Sequence, residues 1–456
     1  MEFPLSITVA KFGGTSVADF TAMTNSAKIV ENNPDTRLII ISACSGVTNH
    51  LVELANGICD PKDRDEKLHI IKNIHYSILE DLKDASQVQP QIDRILGDIA
   101  TFAYEASQAP SIKITDKLVA CGELMSTYLF TQVLNERGNN AVRFDIRQVM
   151  KTDSSYGCAL PNIEAIETQA QALLAPICQD HLVVSQGFIG SDDEGNTTTL
   201  GRGGSDYSAA LVAEGVHAGC LQIWTDVPGI YTTDPRIAPE AYAIPEISFT
   251  EASEMANFGA KILHPATLIP AVRKQIPVFV GSSKDPAAGG TWVRNEAKTS
   301  PLFRALALRK NQTMVTLHSL SMYQTYGFLA DVFAILAKYK VSVDLISTSE
   351  VSVALTLDQT DTCGGAPQLP KAAMDELSKL CTVDVEYNLS VVALIGNNMR
   401  NTKGAGKDIF NVLEDYNIRM ICYGASTHNL CFLVNSDRAP DVVRALHDSL
   451  FVQPIA

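Results

Sequence analysis

From residue 7 to about residue 283 the chain alternates short, uniformly apolar runs with segments of helical periodicity. The runs at 7–10, 38–41, 182–184, 221–224 and 278–280 are rich in β-branched residues. Runs of this kind suit strands covered on both faces, as in a parallel sheet within an α/β domain. Phe20, Met23, Ala27 and Val30 recur at helical spacing, with Asp19 placed to cap the helix they define. Residues 60–112 are charged and helical and read as a peripheral hairpin. Residues 118–135 hold a single charge, Glu123, together with Gln132, Ser126 and two threonines, which suits a buried core helix better than a membrane span.

Each apolar run is followed by a small polar segment: Ser42-Ala43-Cys44-Ser45-Gly46, Ser185-Gln186-Gly187-Phe188, Thr225-Asp226-Val227-Pro228-Gly229 and Gly281-Ser282-Ser283. In an open parallel sheet ligands sit beyond the carboxyl ends of the strands, so these segments should share one rim. Near 283–301 the composition turns to Gly, Pro, Ala and Lys, which marks a boundary. Beyond it the chain repeats itself at an offset of 77: Gly327 with Gly404, Asp331 with Asp408, Phe333 with Phe410, Leu336 with Leu413, Tyr339 with Tyr416 and Ser349 with Ser426. Each copy reads strand, glycine loop, amphipathic helix, strand, turn, strand, and two such α+β units should pack side by side. The expected division is therefore residues 1–295, 296–385 and 386–456, with 363–370 an exposed loop of the first copy.

At 456 residues the chain can bury a large core in two or three domains. A formal charge of −15 argues against nucleic acid or an anionic membrane as partner. The ten cysteines are scattered without a C-x-x-C pair, as expected in a reducing compartment with no zinc site. No charged-then-apolar signal region opens the sequence, so a cytoplasmic location is expected.

The richest chemistry lies in Lys11-Phe12-Gly13-Gly14-Thr15-Ser16, between the first strand and the first helix. Glycines let backbone N–H groups approach an anion, a helix start presents unpaired donors, and Lys11 adds a full charge at the strand's end. Gly201-Arg202-Gly203-Gly204-Ser205-Asp206 is a second glycine-rich loop. Taken alone it reads equally as a hairpin tip before a helix, or as a grip in which Arg202 holds a carboxylate and Asp206 orients a lysine or metal. Glu123, if buried, needs a cation nearby, either a structural partner or the ammonium of an amino-acid ligand. The turn-rich stretch 225–236 carries Thr225, Asp226, Tyr231 and Arg236, able to hold a nucleotide or simply to close a loop. Lys261 lies between apolar neighbours that suggest it points inward. The P-loop, zinc-protease and dinucleotide fingerprints are absent.

Together, residues 11–16, 201–206 and 224–236 and the segment around Lys261 resemble the aspartokinases of the amino-acid kinase family, nearly end to end, and the repeat resembles paired ACT regulatory modules. The stretch 341–350 resembles the monofunctional, lysine-inhibited type, aspartokinase III. The resemblance implies an amino-acid kinase fold, with a mainly parallel sheet between helices, followed by two ferredoxin-like modules. It implies transfer of the γ-phosphoryl group of ATP, with Mg²⁺ held mainly by the phosphates, to the β-carboxylate of L-aspartate. The product is 4-phospho-L-aspartate, in the first step toward lysine, threonine and methionine.

Roles carried over by the resemblance place Lys11, Gly13, Gly14, Ser16 and Lys261 at the phosphates, with Asp206 organising the lysines. Thr225, Asp226, Tyr231 and Arg236 would contact the nucleotide. Arg202 would hold the α-carboxylate of aspartate and Glu123 its ammonium, with Ser42, Thr48, Gly203, Gly204 and Ser205 around them. Cys44-Ser45 departs from the Ser-Ala of the family pattern. For the effector L-lysine the first copy offers Asp344 and Glu350, whereas the second has Ile421 and Thr427 at the aligned positions. The expected lysine site comprises Met322, Thr325, Phe328, Leu329, Ser342, Val343, Asp344, Thr348, Ser349 and Glu350, shared across a homodimer contact that can extend to a tetramer. A kinase acting on glutamate or acetylglutamate, or a catalytically silent amino-acid sensor, remain the alternatives. Glu123 with Arg202 favours a free amino acid, and the retained lysines speak against a sensor.

Overall fold

The structure, a computed structural model, describes residues 7–259, 265–322, 326–358 and 366–451. It divides into two compact units, the first within 1–230, 243–249 and 262–297, the second within 231–242, 250–261 and 298–456.

The first unit is built on an eight-stranded sheet. In chain order its strands are β1 (Thr8–Phe12), β2 (Thr36–Ile41), β3 (Ala141–Phe144) and β4 (Leu182–Gln186), then, after a small hairpin of β5 (Ile189–Ser191) and β6 (Thr197–Thr199), β7 (Cys220–Thr225), β8 (Glu246–Ser248), β9 (Val278–Ser282) and β10 (Gly290–Arg294). The spatial order is β3-β4-β2-β1-β7-β9-β10-β8. Every pairing from β3 to β9 is parallel, and only the β9–β10 step is antiparallel. The chain leaves β1 toward β2 on one side and returns as β7 on the other, so the strand order reverses at β1. A reversal of this kind opens a crevice at the carboxyl ends of the strands.

All five residues of β1 are buried, as the apolar run required. The strand continues through Phe12, so Lys11 is its penultimate residue and not its last. A single 3₁₀ turn, Gly14–Val17, separates it from the helix Phe20–Glu31, whose first turn is capped by Asp19 accepting from Ala22 N at 2.8 Å. The charged region forms the helices Pro61–Asp81 and Gln89–Gln108. The weakly charged stretch is the core helix Ile112–Glu136, whose Phe130 lies 6.0 Å from the ring of Phe12. No helix among the described residues is long and apolar enough to cross a membrane.

The second unit holds one six-stranded antiparallel sheet: β11 (Phe303–His318), β12 (Val343–Thr348), β13 (Ser352–Leu357), β14 (Thr382–Gly396), β15 (Ile418–Tyr423) and β16 (Asn429–Asn435), in the order β12-β13-β11-β14-β16-β15. The repeat is visible in the two helices Phe328–Lys338 and Ala405–Val412, whose N-caps Gly327 and Gly404 both adopt left-handed φ, 91° and 87°. Only glycine reaches that conformation without strain.

Two features differ from the expected division into 1–295, 296–385 and 386–456. First, β11 and β14 run through both modules. Leu306 packs in the core with Val392, Leu430 and Val443, whereas Val315 and Leu317 pack with Val332 and Leu355. The first half of β11 therefore belongs to the second module, and the first module is inserted within it. Second, two excursions, Tyr231–Tyr242 and residues 250–259, pack with the regulatory strands. In the helix Phe249–Asn257, Glu251 receives Arg304 Nε at 2.8 Å, and Glu254 receives Ser426 Oγ at 2.8 Å and Asn429 Nδ2 at 2.7 Å.

Candidate active site

At the carboxyl ends of β1, β2, β4 and β7 a cleft of about 550 Å³ opens in the first unit. Four chain segments build it. After β1, Gly13 N donates to Trp224 O at 3.0 Å, which turns the chain over the end of β7. Gly14 lies against the next loop so closely that a Cβ would stand 2.9 Å from Ala43 O, which explains the glycine. After β2, the 42–46 loop ends in Gly46 at φ 84° and starts the helix Val47–Ala55 with no side-chain cap. After β6, the 201–206 loop starts the helix Gly204–Gly215 from Gly203 at φ 72°, again with no side-chain cap. Uncapped helix starts leave backbone N–H donors and a partial positive charge for an anion. Thr225 and Asp226 close the rim beyond β7.

The charged side chains in this cleft are arranged unevenly. Lys11 is 8% exposed, and its Nζ lies 2.6 Å from Asp206 Oδ1, so the lysine is held by the second glycine loop. Glu123 is 3% exposed, and its Oε2 has no hydrogen-bond partner. Burial is the main influence on this carboxyl and pushes its pKa up to about 8, against the weaker pull of backbone N–H contacts, Ala43 first, and of Lys11. The expected cation beside Glu123 is not an ion-pair partner, because Lys11 has been given to Asp206. Arg202 lines the cleft and is exposed. Cys44 is buried, and burial raises its thiol to about 12, so the departure at Cys44-Ser45 places no reactive thiolate at the rim.

Supporting contacts fix the loops. Ser126 Oγ donates to Ser42 O at 2.8 Å, tying the Ile112–Glu136 helix to the 42–46 loop. From the same helix Asp116 accepts from Gly157 N, Thr199 N and Thr199 Oγ1, which fixes the strand leading into the 201–206 loop.

Of the residues expected from sequence, Lys11, Gly13, Gly14, Ser42, Thr48, Glu123, Arg202, Gly203, Gly204, Ser205, Asp206, Thr225 and Asp226 line this one cleft. Ser16 does not. It is buried, and its hydroxyl lies 2.7 Å from Ser283 Oγ. Tyr231 and Arg236 belong to the second unit, where Arg236 forms a two-pronged pair with Asp234. Lys261 lies outside the described residues, as does Thr325. Sequence reasoning gave no role to Phe188 or Asn49, and Thr15, one of the two hydroxyls of the first glycine motif, lines the cleft. Phe188 adopts φ 70°, strained for a residue with a Cβ, and follows Gly187, where a Cβ would meet Ser205 at 2.8 Å. Its signal was present as the small polar segment after β4.

Among the expected effector residues, Phe328 and Leu329 open the helix after Gly327, and Val343, Asp344 and Thr348 lie on the edge strand β12. Met322 and Ser342 flank these elements. Ser349 Oγ bonds Ser352 Oγ at 2.6 Å in the β12–β13 turn, and Glu350 beside it is exposed. The carboxylate of Asp344 is paired with the guanidinium of Arg309 on β11.

Comparison with known proteins agrees with this architecture. Residues 6–282 match the model of the amino acid kinase family, and residues 392–450 match an ACT domain. Lysine-sensitive aspartokinase 3 of Escherichia coli is 57% identical over 446 residues, covering 98% of this chain and 99% of that protein. The structure of E. coli aspartokinase III in complex with aspartate and ADP (R-state) superposes with a TM-score of 0.90 over 98% of this chain and 100% of that one. The lysine and aspartate complex of the same protein (T-state) gives 0.82 over the same shares. With its kinase sheet, its paired ACT-like modules and this likeness along nearly its whole length, the chain belongs to the aspartokinases of the amino acid kinase family.

Proposed function

We infer that the cleft transfers the γ-phosphoryl group of ATP to the β-carboxylate of L-aspartate, giving 4-phospho-L-aspartate, and that L-lysine acts on the first ACT-like module to inhibit it. One observation carries this reading: a buried carboxyl with no ion-pair partner, an ion-paired lysine, an arginine and two uncapped helix starts share a single cleft. That set suits a free amino acid beside a polyphosphate. Glu123 would take the ammonium and Arg202 the α-carboxylate, while Lys11 and the backbone donors take phosphate oxygens.

A carboxylate nucleophile is already ionised near neutral pH and needs no general base. The obstacle is repulsion between two anions. At about 4 Å and an effective dielectric of ~20 each pair of unit charges is worth roughly 4 kcal/mol. Lys11 offsets part of this, with Asp206 holding the ammonium in place, and the rest is positioning. On the family pattern Mg²⁺ would enter on the triphosphate and neutralise its charge there. Thr225, Asp226, Tyr231, Arg236 and Lys261 are assigned to the nucleotide on the family pattern.

Lysine recognition is assigned to Asp344 and Glu350. Asp344 already has a cation in Arg309, so the incoming ammonium shares or replaces that partner. Leu329, Phe333 and Ile346 are each 38–40% exposed on the same module, which supports a homodimer contact there.

A hydroxamate assay with Mg-ATP and aspartate, glutamate or N-acetylglutamate, with and without lysine, threonine and methionine, tests the reading. Acyl phosphate from aspartate alone, suppressed by lysine alone and restored by Asp344→Ala, is expected. Faster turnover of either other acid would overturn the substrate assignment, and full inhibition of Asp344→Ala would remove the effector site.

A further inference from the structure

Although the segment Tyr231–Tyr242 follows the rim of the cleft in the chain, it packs with the regulatory unit. Thr232, 1% exposed, is its anchor. Its N donates to Tyr242 O at 3.0 Å, its carbonyl accepts from Leu306 N at 2.6 Å, and its Oγ1 accepts from Tyr242 N at 3.2 Å. The hydroxyl then has one proton to give, and His447 Nε2 faces it at 2.9 Å. His447 is 2% exposed on the C-terminal helix Ala439–Leu450, with the ring of Phe451 stacked at 5.1 Å and the ring of Tyr242 edge-on. The same helix holds the segment a second time, through Arg444 Nε to Ile237 O at 3.1 Å. An apolar side chain would fill this site without burying a polar pair. What the imidazole adds is a fixed acceptor for the residue next to Tyr231.

We propose that His447 is a positioning residue for the nucleotide: by accepting the Thr232 hydroxyl proton it fixes Tyr231 and the turn bearing Arg236. The C-terminal helix of the second module then orders a segment assigned to the nucleotide, which agrees with that module lacking the carboxylates that suit the first to lysine. The proposal rests on the nucleotide role given above to Tyr231 and Arg236.

Accepting requires a neutral imidazole. Burial lowers the pKa of His447 below its ordinary 6.5, while Asp448 on its own helix and Glu240 on the segment act weakly in the other direction. Thr232, Tyr242 and Phe451, which pack against it, carry no charge near neutrality. The bond is therefore intact at neutral pH. The acceptor role persists below pH 6.5 and is lost only as pH falls through the lowered value, when Nε2 becomes a donor.

Steady-state kinetics of the full-length enzyme test this in His447→Leu, His447→Gln and Tyr231→Ala. His447→Leu should raise the KM for ATP about tenfold, because Thr232 is left without its acceptor. The KM for aspartate and the half-inhibiting lysine concentration should stay within roughly twofold. In His447→Gln the amide oxygen can take the same proton, so the KM for ATP should stay near wild type and lose the rise that the wild type shows on acidification. An unchanged KM for ATP in His447→Leu, with a raised one in Tyr231→Ala, would overturn the positioning role and leave the nucleotide reading standing. No effect of Tyr231→Ala would remove both. Equal losses toward both substrates would make His447 merely structural. Should His447→Leu not fold, a glutamine variant that keeps the wild-type acid-side rise overturns the proposal.

Discussion

In the ligand-free protein Glu123 is protonated at neutral pH, because burial outweighs its backbone contacts and places its pKa near 8. Its ordinary value is 4.5, so between pH 4.5 and 8 the folded chain holds a proton that the unfolded chain has released. Stability contributed by this group is therefore greatest below pH 4.5 and declines by about 1.4 kcal/mol per pH unit as pH rises toward 8. An ammonium brought beside the carboxyl reverses the preference and ionises it. Aspartate binding near pH 7 should then release close to one proton, measurable by calorimetry in two buffers of different ionisation enthalpy. Glu123→Gln should abolish the release and weaken aspartate binding by roughly tenfold or more, since charge-assisted hydrogen bonds are the stronger kind. A buffer-independent binding enthalpy in the native enzyme would refute the assignment of Glu123 to the substrate ammonium.

At the level of elements, the cleft depends on glycines that let loops and helix starts approach one another. A Cβ on Gly204 would stand 2.6 Å from Phe188 Cδ2, and Phe188 is itself held at φ 70° with its N bonded to Ser208 Oγ. Gly204→Ala should displace both loops and lower kcat/KM by about tenfold or more, since ångström-scale misplacement is costly in catalysis. Gly97 is the control. It lies within the helix Gln89–Gln108, and a Cβ added there would meet nothing within 4 Å, so Gly97→Ala should raise stability by up to about 1 kcal/mol and leave kinetics unchanged. Equal kinetics in the two variants would show that close packing at Gly204 does not shape the site.

The same contrast explains what the sequence alone makes legible. Strand periodicity and the small residues after each strand are enough to gather Lys11, Ser42 and Thr225 on one rim, because a parallel sheet has only one carboxyl edge, whereas Arg202 reaches it from the loop after the β5–β6 hairpin. They cannot say that the Ser16 hydroxyl turns away toward Ser283, since motif spacing sets the backbone path and not the side-chain direction. Nor can they show that Lys11 is paired with Asp206, leaving Glu123 without an ion-pair partner, a choice made by packing between segments nearly two hundred residues apart.

For the molecule as a whole, β11 and β14 make the two regulatory cores interdependent. The two strands pair along both modules, and each takes a left-handed residue near the crossing point, Asn311 and Asn388, both at φ 58°. On one side of that point Leu306 and Val392 fill the second core, and on the other Val315 and Leu317 fill the first. Melting either core would leave the other with two strands it cannot keep paired, so the modules should open together. Val392→Ala removes fully buried methyl groups from the second core alone and should cost about 1–3 kcal/mol. If opening is joint, hydrogen exchange in this variant should accelerate by the same factor at slowly exchanging amides of β13, in the first module, as at those of β16, in the second. Lysine should likewise slow both sets by a common factor, since a ligand that binds only the folded form stabilises every amide exposed by the shared opening. Acceleration confined to β16 would mean that the first module holds its strands alone, and lysine would then have to act on the rest of the protein by a route other than this sheet.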